Sequence, residues 1–412
     1  MDNKVIIAGV GMVPFKKPGQ SQSYDIMGQS AARAALADAG ISYGMIEQAY
    51  AGYVYGDSCA GQAALYHVDI NGVPIFNVNN NCSSGSSAFA LASQAVESGA
   101  VDCALALGFE QMMPGAIDMV FPDRPSPLAR HEGAVARAMN LSPEEVDAPP
   151  AVAMFAAQVD AMLQAGISEE TIAEIACKAR RHAVHNPNAI FRELITVEEI
   201  LAMPPVFRQL RKLYACPPSC GAAAVIVCNE AFARAHGIRN DISLVGKGWC
   251  SDKKQYFNGS VMDVMFQALS RDAATAAYED AGLGPADIDV IELHDCFTTN
   301  ELATYVALGL CAEDQLNEFV ASGDNSYGGK YVVNPSGGLL AKGHPLGATG
   351  LAQITELTMQ LRGEAGKRQV EGARTALQHN GGLGSAGSVS YTHLTLPTMS
   401  TTCWCGGGGG RV

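Results

Sequence analysis

Asp280-Ala281-Gly282-Leu283-Gly284-Pro285-Ala286-Asp287-Ile288-Asp289-Val290-Ile291-Glu292-Leu293 decides how this chain is organised, because its order of features has already occurred once. A helix-ending Asp-Ala-Gly, a short turn and an approach to an apolar strand also run from Asp38-Ala39-Gly40-Ile41 to Ile46-Glu47-Gln48-Ala49-Tyr50. The same two elements precede each copy. In the first, the apolar strand Val5 to Val13 leads into an alanine-rich helical pattern from about Asp25 to Ala39; in the second, Ile242-Ser243-Leu244-Val245-Gly246 leads into Ala273 to Ala281. Self-similarity over such a length implies a duplicated architecture.

Further along each copy, a Gly/Ser-rich turn opens a helix of small residues: Asn81-Cys82-Ser83-Ser84-Gly85-Ser86-Ser87 first, Gly343-His344-Pro345-Leu346-Gly347-Ala348-Thr349 second. Setting Gly85 against Gly347 superposes Cys82 on His344. Strands alternating with helices at this spacing predict an α/β protein whose two halves pack their equivalent helices at a shared centre. We expect residues 1–114 with 220–240 to form the first half and 241–390 the second. Residues 115–219 break the rhythm with Pro-rich loops such as Met203-Pro204-Pro205 and short helical stretches, and read as an inserted lid or substrate-binding region. The apolar run Ala222 to Cys228 is expected to return to the first half's sheet.

The chain has 412 residues and a net charge of -14 without any Lys/Arg run, which argues against nucleic acid or an anionic membrane as partner. No stretch approaches about 18 consecutive apolar residues, and the start lacks a signal-type apolar segment, so a chain without membrane spans, retained in the cytoplasm, is expected. Twelve scattered cysteines fit a reducing compartment better than a disulfide framework. Cys216 and Cys220 have zinc-like spacing but no second ligand pair, so no metal is expected. From Tyr391 the pattern gives way to a Thr-rich stretch, Cys403-Trp404-Cys405 and five glycines; residues 391–412 read as a non-native tail, with no lipid-carrier domain after the second half.

Cys82 immediately precedes a helix, where amide N–H groups favour a thiolate and suit a nucleophile; alone, it would better fit a small buried cysteine, the common fate of that residue, and the other motifs change the balance. His344 lies between glycine turns and a helix start. There it can cap a turn or take a thiol's proton. His294-Asp295-Cys296-Phe297 follows the apolar strand ending at Leu293, the usual place for functional groups in α/β sheets, and offers a polar ring and a second thiol two residues apart.

Taken together, the Cys82 turn, Gly343-His344-Pro345-Leu346-Gly347-Ala348-Thr349-Gly350 and His294-Asp295-Cys296-Phe297 resemble the thiolase superfamily. His-Asp-Cys-Phe in particular resembles the sterol-carrier-protein type, where most thiolases carry Asn-Glu-Ala-Phe. The resemblance spans about residues 4–390 and includes Cys216-Pro217-Pro218-Ser219-Cys220-Gly221, although Cys220 stands where the family usually has an acidic residue. A Cys-x-Gly motif that many thiolases carry near the end is replaced here by Gln378-His379-Asn380-Gly381-Gly382.

The resemblance implies a thiolase fold, with duplicated βαβαβ halves layered αβαβα, and thiolysis of 3-ketoacyl-CoA or the reverse Claisen condensation. Cys82 would carry the acyl group, His344 deprotonate it, His294 help stabilise the oxyanion, and Cys296 act as acid/base. Backbone amides of Cys82, Asn380 and Gly381 would form an oxyanion hole. Coenzyme A enters as substrate, with no permanent cofactor; Arg181, Arg208, Arg211, Lys212 and Ser336 are the candidates to bind it, with Lys178 and Arg180 as further cations in the insertion. A homodimer or dimer of dimers in lipid metabolism, of the fatty-acid β-oxidation kind, is implied. Two alternatives remain open: a ketosynthase-like Cys-His-His condensing enzyme, and a non-catalytic subunit of a steroid or lipid complex.

Overall fold

The computed structural model describes residues 4–115, 121, 123–140, 149–258, 260–383 and 386–394. The first half contributes β1 (Val5–Met12), β2 (Gln48–Gly52), β3 (Ile75–Val78), β4 (Cys103–Gln111) and β5 (Cys220–Asn229). The second contributes β6 (Ile242–Cys250), β7 (Val290–Glu292), β8 (Val332–Val333), β9 (Thr375–Gly382) and β10 (Ala386–Leu394). Read outward from the middle of the sheet, the strand order is β1-β5-β4-β2-β3 on one side and β6-β10-β9-β7-β8 on the other. The two sequences are the same once β6 is equated with β1.

Pair senses repeat as well. Within each half the first two pairings are antiparallel and the next two parallel. The duplication read from Asp38–Gly40 and Asp280–Gly282 is therefore a duplication of topology. Among the described residues the pairing of Ile6 with Ser243 joins β1 to β6, so the two half-sheets are linked along a narrow seam.

Helices that frame the site are α1 (Tyr24–Ala39), α2 (Ser84–Glu97), α3 (Ala129–Met139), α4 (Pro150–Gln164), α5 (Glu169–Ala183), α6 (Gln267–Ala281), α7 (Thr298–Ala307) and α8 (Thr349–Arg362). Alternation along β1 assigns them to layers. Ile6 and Ala8 pack with Met27, Ala31 and Ala35 of α1 on one face. Val5, Ile7 and Val10 share the other face with Phe89, Ala92 and Val96 of α2 and Leu351, Ile354 and Leu357 of α8. Val290, Val332 and Ala376 of the second half close over the same helix pair, while Ala273 and Ala277 of α6 cover the outer side of that half. The sheet thus curls around α2 and α8, giving the αβαβα layering.

Close approach at the centre requires glycine: a Cβ on Gly85 would collide with the carbonyl oxygen of Gly347. The turns equated in sequence touch in space.

The insertion is more helical than its prolines suggest, for α4 and α5 each run 15 residues. Pro150 sits in the first turn of α4, where its missing N–H costs nothing. Ser168 caps α5 by accepting the Thr171 N–H at 3.1 Å. At the other end, β10 continues through Leu394, with Tyr391 opposite both Leu377 and Gly246. Strand pairing thus extends four residues into the stretch excluded on sequence, where Tyr and Thr favour extended backbone. Residues 395–412 lie outside the described residues.

Candidate active site

The Cys82 turn is built by side chains that stand in for backbone partners. Asn81 adopts φ 52, a left-handed conformation that Asn tolerates. Its amide donates to the carbonyl of Leu383 at 3.0 Å, and its Oδ1 accepts from the Cys82 thiol at 3.4 Å. Ser84 donates to the Asn81 carbonyl at 2.7 Å and accepts the Asn80 N–H at 2.9 Å, so the turn and the start of α2 are held together.

Cys82 is buried against Met112 and Leu346. Burial pushes its thiol up to about 12, with the Glu110 carboxylate adding to the shift and the N–H groups of Leu383 and Cys82 opposing it. The lowered thiol expected from the helix end is therefore corrected: desolvation outweighs the amides. A base must remove the proton.

His344 is placed to do so. Its backbone N–H donates to Ser219 Oγ at 3.0 Å, and its Nδ1 lies 2.7 Å from Thr349 Oγ1. Because the Thr349 hydroxyl gives its own proton to the Pro345 carbonyl at 3.0 Å, it can only accept from His344. Nδ1 therefore carries the ring proton and Nε2 bears a lone pair, buried and without a hydrogen-bond partner among the described residues. Burial, then the neighbouring His294, keep the ring neutral well below the usual histidine range.

His294 obeys the same logic. The Asn380 amide nitrogen donates to the Cys82 carbonyl at 3.2 Å, an acceptor only, so Asn380 Oδ1 is the atom facing His294 Nδ1 at 2.7 Å. Nδ1 is the donor and Nε2 is bare. Burial lowers His294 to about 4, against the Asn380 hydrogen bond that raises it. The two rings meet edge to face, centroids 5.0 Å apart. Ligand-capable atoms of Cys82, His294 and His344 all fall within 4.8 Å of one another.

Cys296 is buried beside them, and its thiol lies well above the ordinary range through burial and then the proximity of Cys216, Cys82 and Asp295. Cys216 is a residue whose place in the pocket its spacing to Cys220 did not disclose. Its N–H donates to the Cys296 carbonyl at 2.9 Å, and the bridge between Ala215 and Phe297 sets the two cysteines directly opposite each other. The signal was the Cys-Pro-Pro-Ser-Cys stretch itself, read for zinc and as part of the family resemblance but with no role given to Cys216. Cys220 faces elsewhere, its buried thiol donating to the Met112 carbonyl at 3.5 Å from within β5.

A cavity of about 570 Å³ opens at His344 and Cys216, with walls that include Met112, Val152, Phe191, Leu210, Phe297 and Leu346. Arg180, Arg211 and Lys212 also line it, Arg180 stacked 4.2 Å from the centroid of Phe191 and Arg211 ion-paired with Glu169 at 2.7 Å. The other expected coenzyme A ligands are placed differently. Ser336 is wholly buried, its hydroxyl on Glu292 at 2.8 Å; Lys178 is buried in an ion pair with Glu301; Arg181 pairs with Glu174 on the surface and Arg208 with Asp160. Gly381 is buried in β9, opposite Gly387, with Asn380 providing the side-chain link described above.

Glu110, also absent from the sequence reading, accepts N–H groups from Val54 (3.1 Å), Tyr55 (2.9 Å) and Gly347 (3.0 Å). It ties the first half to the turn that carries His344.

On a duplicated α/β frame, a buried thiol close to an unprotonated imidazole nitrogen whose ring lines an apolar cavity is the apparatus of a cysteine-based acyltransferase. The chain belongs to the thiolase family: the profile for the thiolase N-terminal domain matches residues 5–231 and that for the thiolase C-terminal domain-like region matches 252–394. It is 47% identical over 405 residues to sterol carrier protein 2 of Rattus norvegicus, covering 97% of this chain and 73% of that one. Benzoylsuccinyl-CoA thiolase subunit BbsB of Thauera aromatica is 34% identical over 408 residues, covering 98% and 100%. Human mitochondrial 3-ketoacyl-CoA thiolase superimposes with a TM-score of 0.71 at 20% identity, over 96% of this chain and 99% of that one, which establishes the shared fold. Among the described residues no helix is long and apolar enough to cross a membrane.

Proposed function

We propose that the chain cleaves 3-ketoacyl-CoA thiolytically, or runs the reverse condensation, through an acyl-Cys82 intermediate. The observation that carries this reading is the convergence of Cys82, His344 and His294 within 4.8 Å, with hydrogen bonds that leave both Nε2 atoms unprotonated.

Cys82 gives its proton to His344 Nε2 and its thiolate attacks the keto carbon. The resulting alkoxide then faces a His344 Nε2–H donor created by that transfer, with a water held by His294 Nε2 as a second donor. Collapse breaks the carbon–carbon bond, leaving the shortened acyl group on Cys82 and an acetyl- or propionyl-CoA enolate that takes its proton from Cys296. The Cys296 thiolate then deprotonates incoming coenzyme A, which attacks the Cys82 thioester; the acyl carbon–sulfur bond to Cys82 breaks, the shortened acyl-CoA leaves, and the Cys82 thiolate takes back the proton held on His344 Nε2. Amides of Cys82 and of the Asn380–Gly381 segment are the proposed oxyanion hole for this second step. Arg180, Arg211 and Lys212 line the cavity and suit the anionic coenzyme A, which is a substrate, with no permanent cofactor required.

The condensing-enzyme reading stays in view because the Cys-His-His group is complete without Cys296. Incubation with a 3-ketoacyl-CoA series tests both: thiolysis with acyl mass on Cys82, lost in Cys82→Ser, supports the proposal. No acylation at Cys82 with any chain length overturns it, and thiolysis unaffected by Cys296→Ser and by Cys216→Ser alike replaces it with the ketosynthase-like reading.

A homodimer is proposed too. Among the described residues β3 is an edge strand with Phe76 47% exposed and Leu91 of α2 39% exposed, an apolar edge of the kind that pairs with a second copy. Ten described cysteines are unbridged, in keeping with a reducing compartment such as the cytoplasm.

A further inference from the structure

We propose that the same pocket binds one Zn²⁺ ion through Cys82 Sγ, His294 Nε2 and His344 Nε2, as a reversible inhibitory site. Binding follows from the ligand set alone; the inhibition rests on the acyl-transfer reading above.

Three observations lead there. One sulfur and two imidazoles, all buried, already present ligand atoms within 4.8 Å of one another. Tetrahedral zinc with these donors spaces them about 3.5 Å apart, so side-chain rotations that draw the atoms in by about 1 Å complete the site. Second, both histidines offer the correct nitrogen. Zinc-bound histidine donates its other ring N–H to an oxygen acceptor, and Thr349 and Asn380 already serve as those acceptors at 2.7 Å each. Third, His344 Nε2 is a buried lone pair with no hydrogen-bond partner among the described residues, an unsatisfied atom whose cost a cation removes.

Coordination breaks the Cys82 S–H bond, forms an S–Zn bond and releases one proton to solvent, with no change in oxidation state. A water molecule supplies the fourth ligand. An ion in that place occupies both the nucleophile and its base, so acylation stops until the metal leaves. Thiolate plus two imidazoles favours zinc over magnesium or calcium, which prefer oxygen donors.

The test uses the full reduced, metal-free chain titrated with Co²⁺ as a spectroscopic stand-in. One Co²⁺ per chain is expected, with a thiolate-to-cobalt charge-transfer band, visible bands of tetrahedral intensity, and displacement by Zn²⁺. Cys82→Ser abolishes the charge-transfer band, Thr349→Val weakens binding about 10- to 100-fold through loss of the Nδ1 partner, and Cys59→Ser, at an exposed thiol, changes neither. Absence of the band, or an undiminished band in a Cys82→Ser chain that circular dichroism shows to be folded, overturns the site. The two proposals fail separately. A chain that binds Co²⁺ through Cys82 yet cleaves no 3-ketoacyl-CoA loses only the thiolase reading, whereas an active chain indifferent to Zn²⁺ and lacking the band loses only this one.

Discussion

Thr349 Oγ1 lies 2.7 Å from His344 Nδ1 and is committed as an acceptor by its own bond to the Pro345 carbonyl. The hydroxyl thus selects the tautomer in which Nε2 is free to take a proton. Thr349→Val keeps the shape and removes the selection, so kcat should fall about 10- to 100-fold with KM nearly unchanged, the size of effect expected when a reacting group is misoriented. Thr349→Ser should restore most of the rate. Steady-state kinetics on the three proteins decides it, and a proportional loss in the Ser variant would show that the methyl group, not the hydroxyl, matters.

Two thiols compete for the acid/base role, because Cys216 stands directly opposite Cys296 and lines the cavity with His344. On the mechanism proposed here, Cys296→Ser should cost about 10²- to 10⁴-fold in thiolysis, the usual worth of a general acid–base group. Cys216→Ser should retain most of the activity. The opposite ranking in a side-by-side assay would transfer the role to Cys216.

The fold was legible because each half spells out its own order of elements, and Asp-Ala-Gly marks the same helix end twice. Cys82, His294, Cys296 and His344 were legible as motif residues, and they lie together in the structure. What sequence could not show was which side chains act through others. Glu110 lies in an apolar strand, and nothing local to Phe109-Glu110-Gln111 predicts that its carboxylate will reach a glycine 237 positions away. Ser336 sits beside glycines that suggest exposure to a ligand, yet the hydroxyl turns inward to Glu292. α4 was missed for another reason. Its apolar residues surround the helix on most sides, which erases the periodicity that marks an amphipathic helix.

Glu110 offers a stability prediction. Its carboxylate is the acceptor for three N–H groups drawn from two turns. Glu110→Ala removes this acceptor, at about 1–3 kcal/mol for a buried donor stripped of it, and the Gly347 N–H is fully buried, so a loss of roughly 2 kcal/mol or more is expected in urea unfolding. Glu110→Gln retains an oxygen acceptor and should lose less. Activity should fall along with stability in both, since one of the three donors, Gly347, belongs to the turn that carries His344. An alanine variant as stable as the parent would mean that the turns hold without this carboxylate.

Asp295 makes the stability of the fold depend on pH. It is fully buried, accepting the Leu339 N–H at 2.7 Å and the Leu340 N–H at 3.3 Å, and burial raises it to about 8, with Glu301 adding to the shift and the amides and Lys178 opposing it. In the unfolded chain the same group titrates near 3.8. The native state therefore holds a proton that the unfolded state releases between these values. The contribution to stability is complete below about 3.8, drains as pH rises, and is gone above about 8. Histidines that burial keeps neutral, such as His294 at about 4, act in the reverse direction between pH 6.5 and 4, so the total curve mixes both. Asp295→Asn removes one contributor and leaves the others in place. Subtracting its unfolding free energy from that of the parent, pH by pH, should give a difference that moves against the parent from pH 5 to pH 8, by at most about 1.4 kcal/mol per pH unit. A flat difference would mean that Asp295 is ionised in the folded protein, its charge balanced by the two amides and Lys178 in spite of burial.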